Sequence, residues 1–340
     1  MDKSLLNQIL HEYELKREKA YKDVEERKKE LIKVNPKLAE IERQISLNSI
    51  KISKEILISG NKESLLNDLK KSNSKLIKEK NNFIKELTQS NNYLYPHFEC
   101  KLCKDTGYIL KDGKTTFCSC LKQRLYDVAY NKSNMGNLER ENFSNFDLRI
   151  FSSAKNVEKY KSELSPRENI QILREKALAF VESFDDPEEK NLVFTGNTGT
   201  GKTFLTNCIA NELLKAGKTV LYQTAPVMFD EIINEKFDKS DKSFSIYENI
   251  LNVDLLIIDD LGTEKISDSK ITDLFTIINT RLLNQNHKIT KTVISTNLTI
   301  DEIFKTYTNR IGSRLAGNYR FLRFFGEDLR LRQSKKPTLQ

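Results

Sequence analysis

A glycine-rich stretch in the second half of the chain has the residue types and the spacing to hold phosphate groups. It reads GNTGTGKT, which fits the pattern G-x-x-x-x-G-K-T and ends in Lys202 and Thr203. Glycines let successive backbone N–H groups point at an anion, while the lysine can reach a nucleotide's outer phosphates and the threonine hydroxyl can bind Mg²⁺. A plain glycine turn is the alternative, but an apolar strand before it and helical spacing after it favour phosphate binding. The predicted nucleotide-binding residues are Gly196, Asn197, Thr198, Gly199, Thr200, Gly201, Lys202, Thr203 and Phe204.

Two neighbouring acids could supply the metal-binding and water-activating groups of nucleotide chemistry. Asp259 and Asp260 directly follow the aliphatic run at residues 253–258, which has the composition of a buried strand. One carboxylate at such a strand end can hold Mg²⁺ through water, and the other can polarise an attacking water molecule. Two acids in a surface turn are the alternative, which the preceding phosphate loop makes less favourable. We therefore predict a magnesium site at Thr203 and Asp259.

Four of the five cysteines form two close pairs with metal-ligand spacing. Cys100 and Cys103 are followed, after a turn-rich spacer, by Cys118 and Cys120. A hairpin between the pairs would bring four thiolates together, as tetrahedral Zn²⁺ requires. The second pair has one intervening residue where two are usual, and buried free thiols are the alternative. Structural disulfides are not expected, since the chain is predicted to be cytosolic.

The elements that must position these residues alternate between strands and helices. Apolar strand-like runs occur at residues 192–195, 219–222, 253–258, 291–297 and 321–325, with helical patterns between several of them. This alternation predicts an α/β fold with a doubly wound parallel sheet, whose ligand binds at the carboxyl ends of the strands. Phe143 and Phe146 precede the sheet region, where they could pack in the core or form a wall against an adenine ring. Near the end of the chain, aromatic residues alternate with arginines: Tyr319, Phe321 and Phe324. Such a mixture can stack nucleic-acid bases, but the same residues could equally belong to the core of a strand.

The first ninety residues show helical periodicity and dense mixed charge. Breaks at Pro36 and at Gly60–Asn61 predict three helices, whose apolar stripe packs on itself or on a partner. The expected organisation is a helical arm at 1–95, a zinc module at 96–125, a linker at 126–160 and an ATPase domain at 161–340. The net charge of +8 favours an anionic partner such as nucleic acid. With no signal-peptide core and no apolar run of membrane-spanning length, the protein is expected to be cytoplasmic, with no membrane partner.

The motifs together resemble those of the AAA+ ATPases. Within that group they are similar to the bacterial replicative-helicase loaders of the DnaC/DnaI type, with the IstB transposition ATPases as close kin. The resemblance extends over residues 141–330 and is carried by FSNFDL, GNTGTGKT, LLIIDDLGTE, ISTN and NRIGSRL. The cysteine motif CKLCKDTGYI…FCSC resembles the zinc module of DnaI-like loaders, whereas the helical arm matches only in position and helical character.

This resemblance implies roles for individual residues in binding and hydrolysing ATP. Asp259 is similar to the Walker B magnesium residue and Asp260 to the water-activating acid. Because many AAA+ proteins have glutamate at the second position, the shorter aspartate implies slow hydrolysis. Asn297 stands where sensor 1 sits in the family. The predicted catalytic set also includes Lys202.

Three arginines complete the implied site. Arg314 is similar to the arginine finger that reaches a neighbouring subunit's nucleotide, and Arg310 is the alternative. Arg330 is placed like a sensor 2 arginine, although the helical lid that carries sensor 2 in most AAA+ proteins is expected to be missing. A tail salt bridge or a DNA contact are the other readings of Arg330.

The resemblance implies an ATP-dependent loader of the hexameric replicative DNA helicase onto single-stranded DNA. ATP, Mg²⁺ and Zn²⁺ are the implied cofactors, and the ATPase domain is expected to self-assemble. ATP binding and hydrolysis would act as a conformational switch. Two other functions stay open: an IstB-like ATPase that assists a transposase, and a nucleotide-gated adaptor without DNA contact.

Overall fold

The computed structural model describes residues 3–57, 63–90, 92–111, 113–128, 140–237, 245–284 and 288–333. The chain divides into two compact units, Leu10–Ile109 and Leu110–Gln340 together with Met1–Ile9. In the described parts of the chain, no helix is both long enough and apolar enough to cross a bilayer.

Three long helices form most of the first unit. They are α1 (Lys3–Val34), α2 (Pro36–Leu57) and α3 (Glu63–Thr88). Pro36 opens α2 at a first-turn position, where its missing N–H leaves no intrahelical hydrogen bond unmade. The predicted break at Pro36 is therefore confirmed, whereas Gly60 and Asn61 lie outside the described residues. Between the helices, Glu42 of α2 pairs with Lys28 of α1 and with Lys80 of α3.

The cysteines flank a short hairpin. Its strands are β1 (Tyr108–Lys111) and β2 (Lys114–Phe117), which form a two-stranded sheet. Helix α4 (Ser119–Tyr126) follows at once, and the Cys118 backbone is extended just before it. The hairpin therefore returns the chain so that the second cysteine pair lies beside the first.

The second unit is built on a five-stranded parallel sheet in the order β4-β5-β6-β3-β7. Its strands are β3 (Asn191–Thr195), β4 (Val220–Thr224), β5 (Leu255–Leu261), β6 (Lys291–Thr296) and β7 (Tyr319–Arg323). The residues of β3, β4, β5 and β6 are nearly all buried, as expected for a parallel sheet covered by helices on both faces, whereas the edge strand β7 is only partly buried. The predicted fold class, an α/β core with a parallel sheet preceded by a helical region, is confirmed.

Alternate residues of each strand enter two hydrophobic layers. Val193, Leu256 and Ile294 point into one layer, and Leu192, Ile257 and Val293 point into the other. The short helix α5 (Val157–Tyr160) precedes the sheet and belongs to neither layer. The helices that supply the rest of these layers are α4, α6 (Pro166–Glu182), α7 (Lys202–Lys215), α8 (Ala225–Phe237), α9 (Ile246–Asn252), α10 (Asp268–Asn284), α11 (Ile300–Asn318) and α12 (Leu329–Gln333). Because β3 lies between β6 and β7, the residues that end these three strands meet at one edge of the sheet.

Candidate functional site

The phosphate loop connects the end of β3 to the start of α7. Gly196, Gly199 and Gly201 all have positive φ, at 140°, 74° and 97°, which lets the loop curl back on itself. Close packing also requires Gly196, because a Cβ there would lie 2.1 Å from the Phe324 carbonyl oxygen. The loop is thus held between its own helix and the residues that follow β7.

Lys202 is the first residue of α7 and is buried, with 6% of its surface exposed. Its Nζ donates to the carbonyl oxygens of Gly196 and Asn197 at 2.6 and 2.9 Å, and to Asn297 Oδ1 at 2.8 Å. Burial lowers the pKa of Lys202, while the charges of Asp260 and Asp259 oppose that effect. The structure therefore brings the predicted lysine, both acids and the predicted sensor residue into one electrostatic cluster.

Asp259 is held on several sides. Tyr222 of β4 and Ser295 of β6 donate hydroxyl hydrogen bonds to its two carboxylate oxygens. The Asp260 backbone N–H donates to Asp259 Oδ1 at 3.1 Å, and Thr203 Oγ1 lies 3.5 Å from Asp259 Oδ2. Oxygen donors of this kind, a carboxylate beside a threonine hydroxyl, fit Mg²⁺.

Asp260 sits at an irregularity where the register between β5 and β6 shifts. Its φ of 54° is rare for a residue with a side chain, and such a bulge turns the carboxylate away from the ladder toward the pocket. Burial, followed by the negative charge of Asp259, raises the pKa of Asp260. A carboxylate with a raised pKa is a better proton acceptor than an exposed one.

A cavity of about 520 Å³ opens beside the phosphate loop. Its polar wall includes Lys202, Thr203, Asp260 and Asn297. Its apolar wall is aromatic: the rings of Phe146 and Phe151 stack 6.1 Å apart, and the Phe204 ring meets Phe146 edge-on at 5.4 Å. The volume and the division into a polar and an apolar wall suit a nucleotide. Of the paired aromatics, Phe146 lines this cavity and Phe143 is buried in the core.

The segment after β7 closes one side of the phosphate loop. Leu329 N–H donates to the Gly199 carbonyl oxygen at 2.9 Å, and a Cβ on Gly199 would lie 2.0 Å from Asp328 Oδ1. Arg330 lines the same cavity, and its charge is felt by both Lys202 and Asp260. The predicted Arg330 therefore lies with the phosphate-loop residues.

Arg310 and Arg314 lie elsewhere. Both are exposed on α11, where they line an open cleft of about 620 Å³ together with Asn309, Ser313 and Asn318. This cleft is a different one from the cavity beside the phosphate loop. The two arginines are thus placed to meet something outside their own nucleotide cavity.

The four predicted cysteines form a cluster. The sulfur atoms of Cys100, Cys103, Cys118 and Cys120 all lie within 4.8 Å of one another. The buried carboxylate of Asp105 accepts from the backbone N–H groups of Glu99 and Cys100 at 2.8 and 2.7 Å, which fixes the turn between the first two cysteines. Four converging thiols on a tight turn fit tetrahedral Zn²⁺.

Sequence reasoning missed three residues that shape the site. Tyr222 and Ser295 bind Asp259, and Asp328 packs on Gly199. The first two could have been found, since β4 and β6 flank β5 and their carboxyl ends must lie beside its acids; Thr224 is in fact paired with Asp259. No pattern in the sequence places Asp328, because its position depends on the path of the chain after β7.

A parallel sheet with a glycine loop, a buried lysine and a strand-end acid pair defines a P-loop nucleotide-binding protein. The sequence model of the family described as IstB-like ATP binding protein matches residues 130–337. The chain therefore belongs to the IstB-like ATP-binding protein family.

Individual relatives agree with the motifs. The chain is 29% identical over 208 residues to the replicative helicase loader DnaC of Escherichia coli K12, covering 58% of this chain and 82% of that protein. It is 30% identical over 152 residues to the putative insertion sequence ATP-binding protein y4pL of Sinorhizobium fredii, covering 43% of this chain and 59% of that protein. A crystal structure of the DnaC helicase loader matches with a TM-score of 0.44 and 22% identity, over 56% of this chain and 99% of that one. The resemblance to loaders and IstB-like proteins is confirmed.

Proposed function

We propose that the protein is an ATP-dependent loader that places a replicative DNA helicase on single-stranded DNA in the cytoplasm. The observation that carries this proposal is the convergence of Lys202, Asp260, Asn297 and Arg330 on one nucleotide-sized cavity, in a chain similar to DnaC over most of DnaC's length. Binding and hydrolysis of ATP would switch the protein between two conformations.

The positions of the side chains support the following roles in ATP hydrolysis. Lys202 and the loop N–H groups bind the outer phosphates, and Asn297 orients the γ-phosphate through its amide. Thr203 and Asp259 would hold Mg²⁺, which would neutralise charge on the phosphates. Asp260 accepts a proton from the attacking water at its carboxylate. Since aspartate is shorter than the glutamate common at this position, we expect slow turnover.

The arginines divide between two sites. Arg330 contacts phosphate within its own chain, where its charge already acts on Asp260 and Lys202. Arg314, or Arg310 beside it, serves the nucleotide of a neighbouring copy, so hydrolysis depends on self-assembly of the ATPase domain. An arginine of this kind can be worth roughly 10³–10⁵ in rate.

The other parts of the chain would hold the partner. We assign residues 1–95 to a helical arm, 96–125 to a zinc module, 126–160 to a linker and 161–340 to the ATPase domain. The helical arm and the zinc module together would bind the hexameric helicase. Elemental analysis should find one Zn²⁺ per chain bound by the four clustered cysteines, and chelation should unfold the module locally. Protein purified without chelator and free of stoichiometric zinc would contradict this assignment.

A second candidate function is assistance to a transposase. It is favoured by the family match and by the similarity to y4pL, a putative insertion sequence ATP-binding protein. A third candidate function is a nucleotide-gated adaptor that does not contact DNA. In that case the positive net charge would serve only solubility.

Capture experiments with the full chain separate these functions. Immobilised protein should retain the hexameric replicative helicase of its own cell, and Lys202→Ala should lose Mg²⁺-dependent ATP binding. Lys215→Ala, an exposed lysine at the other end of α7, is the matched control and should bind ATP normally. Capture of a transposase instead of the helicase would overturn the loader proposal. ATP binding by Lys202→Ala at parental affinity would overturn the site.

A further inference from the structure

Helix α11, which carries Arg310 and Arg314, is bent. Thr308 interrupts its helical conformation with φ 76° and ψ 155°, so that two helical pieces meet at this residue. A β-branched residue with positive φ is strained, and such a conformation persists only where surrounding contacts impose it. The first piece ends at Tyr307, and both arginines lie on the second.

The contact that holds the first piece is buried. Tyr307 is 1% exposed and donates its hydroxyl hydrogen bond to Glu264, which is 6% exposed. Glu264 also accepts from the backbone N–H of Gly262 at 2.9 Å. Gly262 directly follows Leu261, the last residue of β5, so the bond ties the end of α11's first piece to the strand that carries Asp259 and Asp260.

Two further contacts make this junction tight. A Cβ on Gly262 would lie 2.8 Å from the Leu298 side chain, so the loop after β5 packs directly against the residues that lead into α11. Across the bend, a Cβ on Gly312 would lie 2.6 Å from the Phe304 ring, so the two pieces of α11 pack directly on each other. The direction of the second piece is therefore set by named contacts on both sides of Thr308.

We propose that Glu264 and Tyr307 are positioning residues that aim the arginines of α11 at the nucleotide of a neighbouring copy. The proposal rests on the proposed function, specifically on Arg310 or Arg314 acting between chains. Neither Glu264 nor Tyr307 touches the nucleotide cavity of its own chain; they act through the orientation of the helix. Misplacement of a reacting group by about 1 Å can cost on the order of 10²-fold in rate.

A mixing experiment with full-length chains distinguishes positioning from general damage. The acceptor chain carries Arg310→Ala and Arg314→Ala, so it binds ATP and lacks the arginines. The donor chain carries Lys202→Ala, so it binds no ATP and supplies them. The parent mixture should regain ATP hydrolysis.

Tyr307→Phe is then added to one chain at a time. On the donor chain it should reduce the regained turnover by about tenfold or more, whereas on the acceptor chain the regained turnover should persist. ATP affinity should stay at the parental value, since the acceptor's nucleotide cavity is unchanged. A defect in folding alone would not depend on which chain carries the substitution. Tyr126→Phe, which removes another buried hydroxyl from the same hydrophobic layer, is the control and should leave both mixtures active.

A second pair of variants covers the case in which Tyr307→Phe does not fold. On the donor chain, Gly312→Ala should reduce turnover, because it displaces Phe304 and with it the second helical piece. Gly317→Ala, on the same helix with open space around it, should not. Full rescue by both the Tyr307→Phe and the Gly312→Ala donors would overturn this inference while leaving the proposed function intact. No rescue in the parent mixture, with assembly verified, would instead overturn the shared site and the inference with it.

Discussion

At the scale of single residues, the role proposed for Asp260 as a proton acceptor comes with a cost in stability. Its raised pKa means that the folded chain retains a proton on this carboxyl at pH values where the unfolded chain has lost it. The favourable contribution of the protonated carboxyl is therefore present at low pH and is lost as the pH rises through the folded-state pKa. In the proposed mechanism, the turnover rate has the opposite pH dependence and rises with pH, because only the ionised carboxylate can accept a proton from water.

Asp260→Asn should accordingly gain stability and lose activity. We expect a higher urea midpoint than the parent above the folded-state pKa of Asp260 and unchanged ATP binding. Turnover should fall by about 10²–10⁴-fold, the usual worth of a general base. Asp185→Asn, an exposed acid paired with Lys218, is the control and should change neither property by a comparable amount. A parental turnover rate in Asp260→Asn would remove Asp260 from the mechanism.

The phosphate loop offers a second residue-scale comparison. Gly199 and Gly217 have nearly the same φ, 74° and 79°, but a Cβ on Gly199 meets the Asp328 carboxylate, and one on Gly217 meets nothing within 4 Å. Gly217→Ala should lower the free energy of unfolding by roughly 1–2 kcal/mol, which is the cost of holding a residue with a side chain in the left-handed conformation. Gly199→Ala should cost more and should weaken ATP binding, because it displaces Asp328 beside Arg330. Equal unfolding free energies in urea would show that the segment after β7 does not brace the loop.

At the scale of elements, the bend in α11 predicts an unusual effect of glycine. Thr308→Gly should stabilise the protein by about 1 kcal/mol, because glycine removes strain worth roughly 1–3 kcal/mol at some cost in chain entropy. Thr306→Gly, two residues earlier within regular helix, should destabilise it by about 0.3 kcal/mol, the difference between the helix propensities of threonine and glycine. Thermal or urea unfolding of the two variants gives the comparison. Destabilisation of similar size at both positions would mean that Thr308 is not strained.

The accuracy with which the sequence predicts strand boundaries differs from one strand to the next. The sequence predicts both the strand before the phosphate loop and the strand that carries Asp259 and Asp260, because buried parallel strands are short aliphatic runs between turn signals. The acid strand begins at Leu255 instead of residue 253 and continues through Leu261. Val253 and Asp254 are drawn outside it by other bonds: Asp254 accepts from Thr219 N–H at 2.7 Å, and Val253 O accepts from Arg281. Such long-range partners leave no local signal.

The last strand illustrates the same limit. The sequence pattern predicts a strand at residues 321–325, whereas β7 runs from Tyr319 to Arg323. Asn191 pairs with Tyr319 in the register of β3 and β7, so the neighbouring strand decides where β7 begins. The bend at Thr308 and the Glu264–Tyr307 bond were equally out of reach, since both depend on how α11 packs against the end of β5. Local sequence patterns identify the motifs whose residues carry chemistry. Tertiary packing decides the orientation of those residues in the folded protein.

At the scale of the whole molecule, the positive net charge bears on the DNA binding that the proposed function requires. Tyr319 and Phe324 are 3% and 2% exposed, so these aromatic residues belong to the core and do not offer faces to bases. Of the two interpretations, base stacking and strand core, strand core is therefore correct for Tyr319 and Phe324. Under the proposed function, affinity for single-stranded DNA would then come mainly from basic side chains, in keeping with the net charge of +8.

Binding to DNA should consequently depend steeply on salt. A labelled oligonucleotide followed by fluorescence anisotropy should lose on the order of 10³-fold or more in affinity between about 50 and 200 mM salt, if six or more phosphates are contacted. Affinity should be higher with ATP than with ADP, and Lys202→Ala should abolish that difference without abolishing DNA binding. Salt-independent binding would contradict an electrostatic interface, and absence of binding would favour the adaptor function.

Because the segment after β7 packs on the phosphate loop, a label on this segment could report whether nucleotide is bound. Leu331 is 64% exposed and adjoins Arg330, which lines the nucleotide cavity. A small fluorophore on a cysteine introduced there would sit at the rim of that cavity, and its emission would change as nucleotide enters. Buried Cys208 would compete little for the label, and bound zinc would protect the clustered thiols. Occupancy by unmodified ATP could then be followed in real time while a partner or DNA is added.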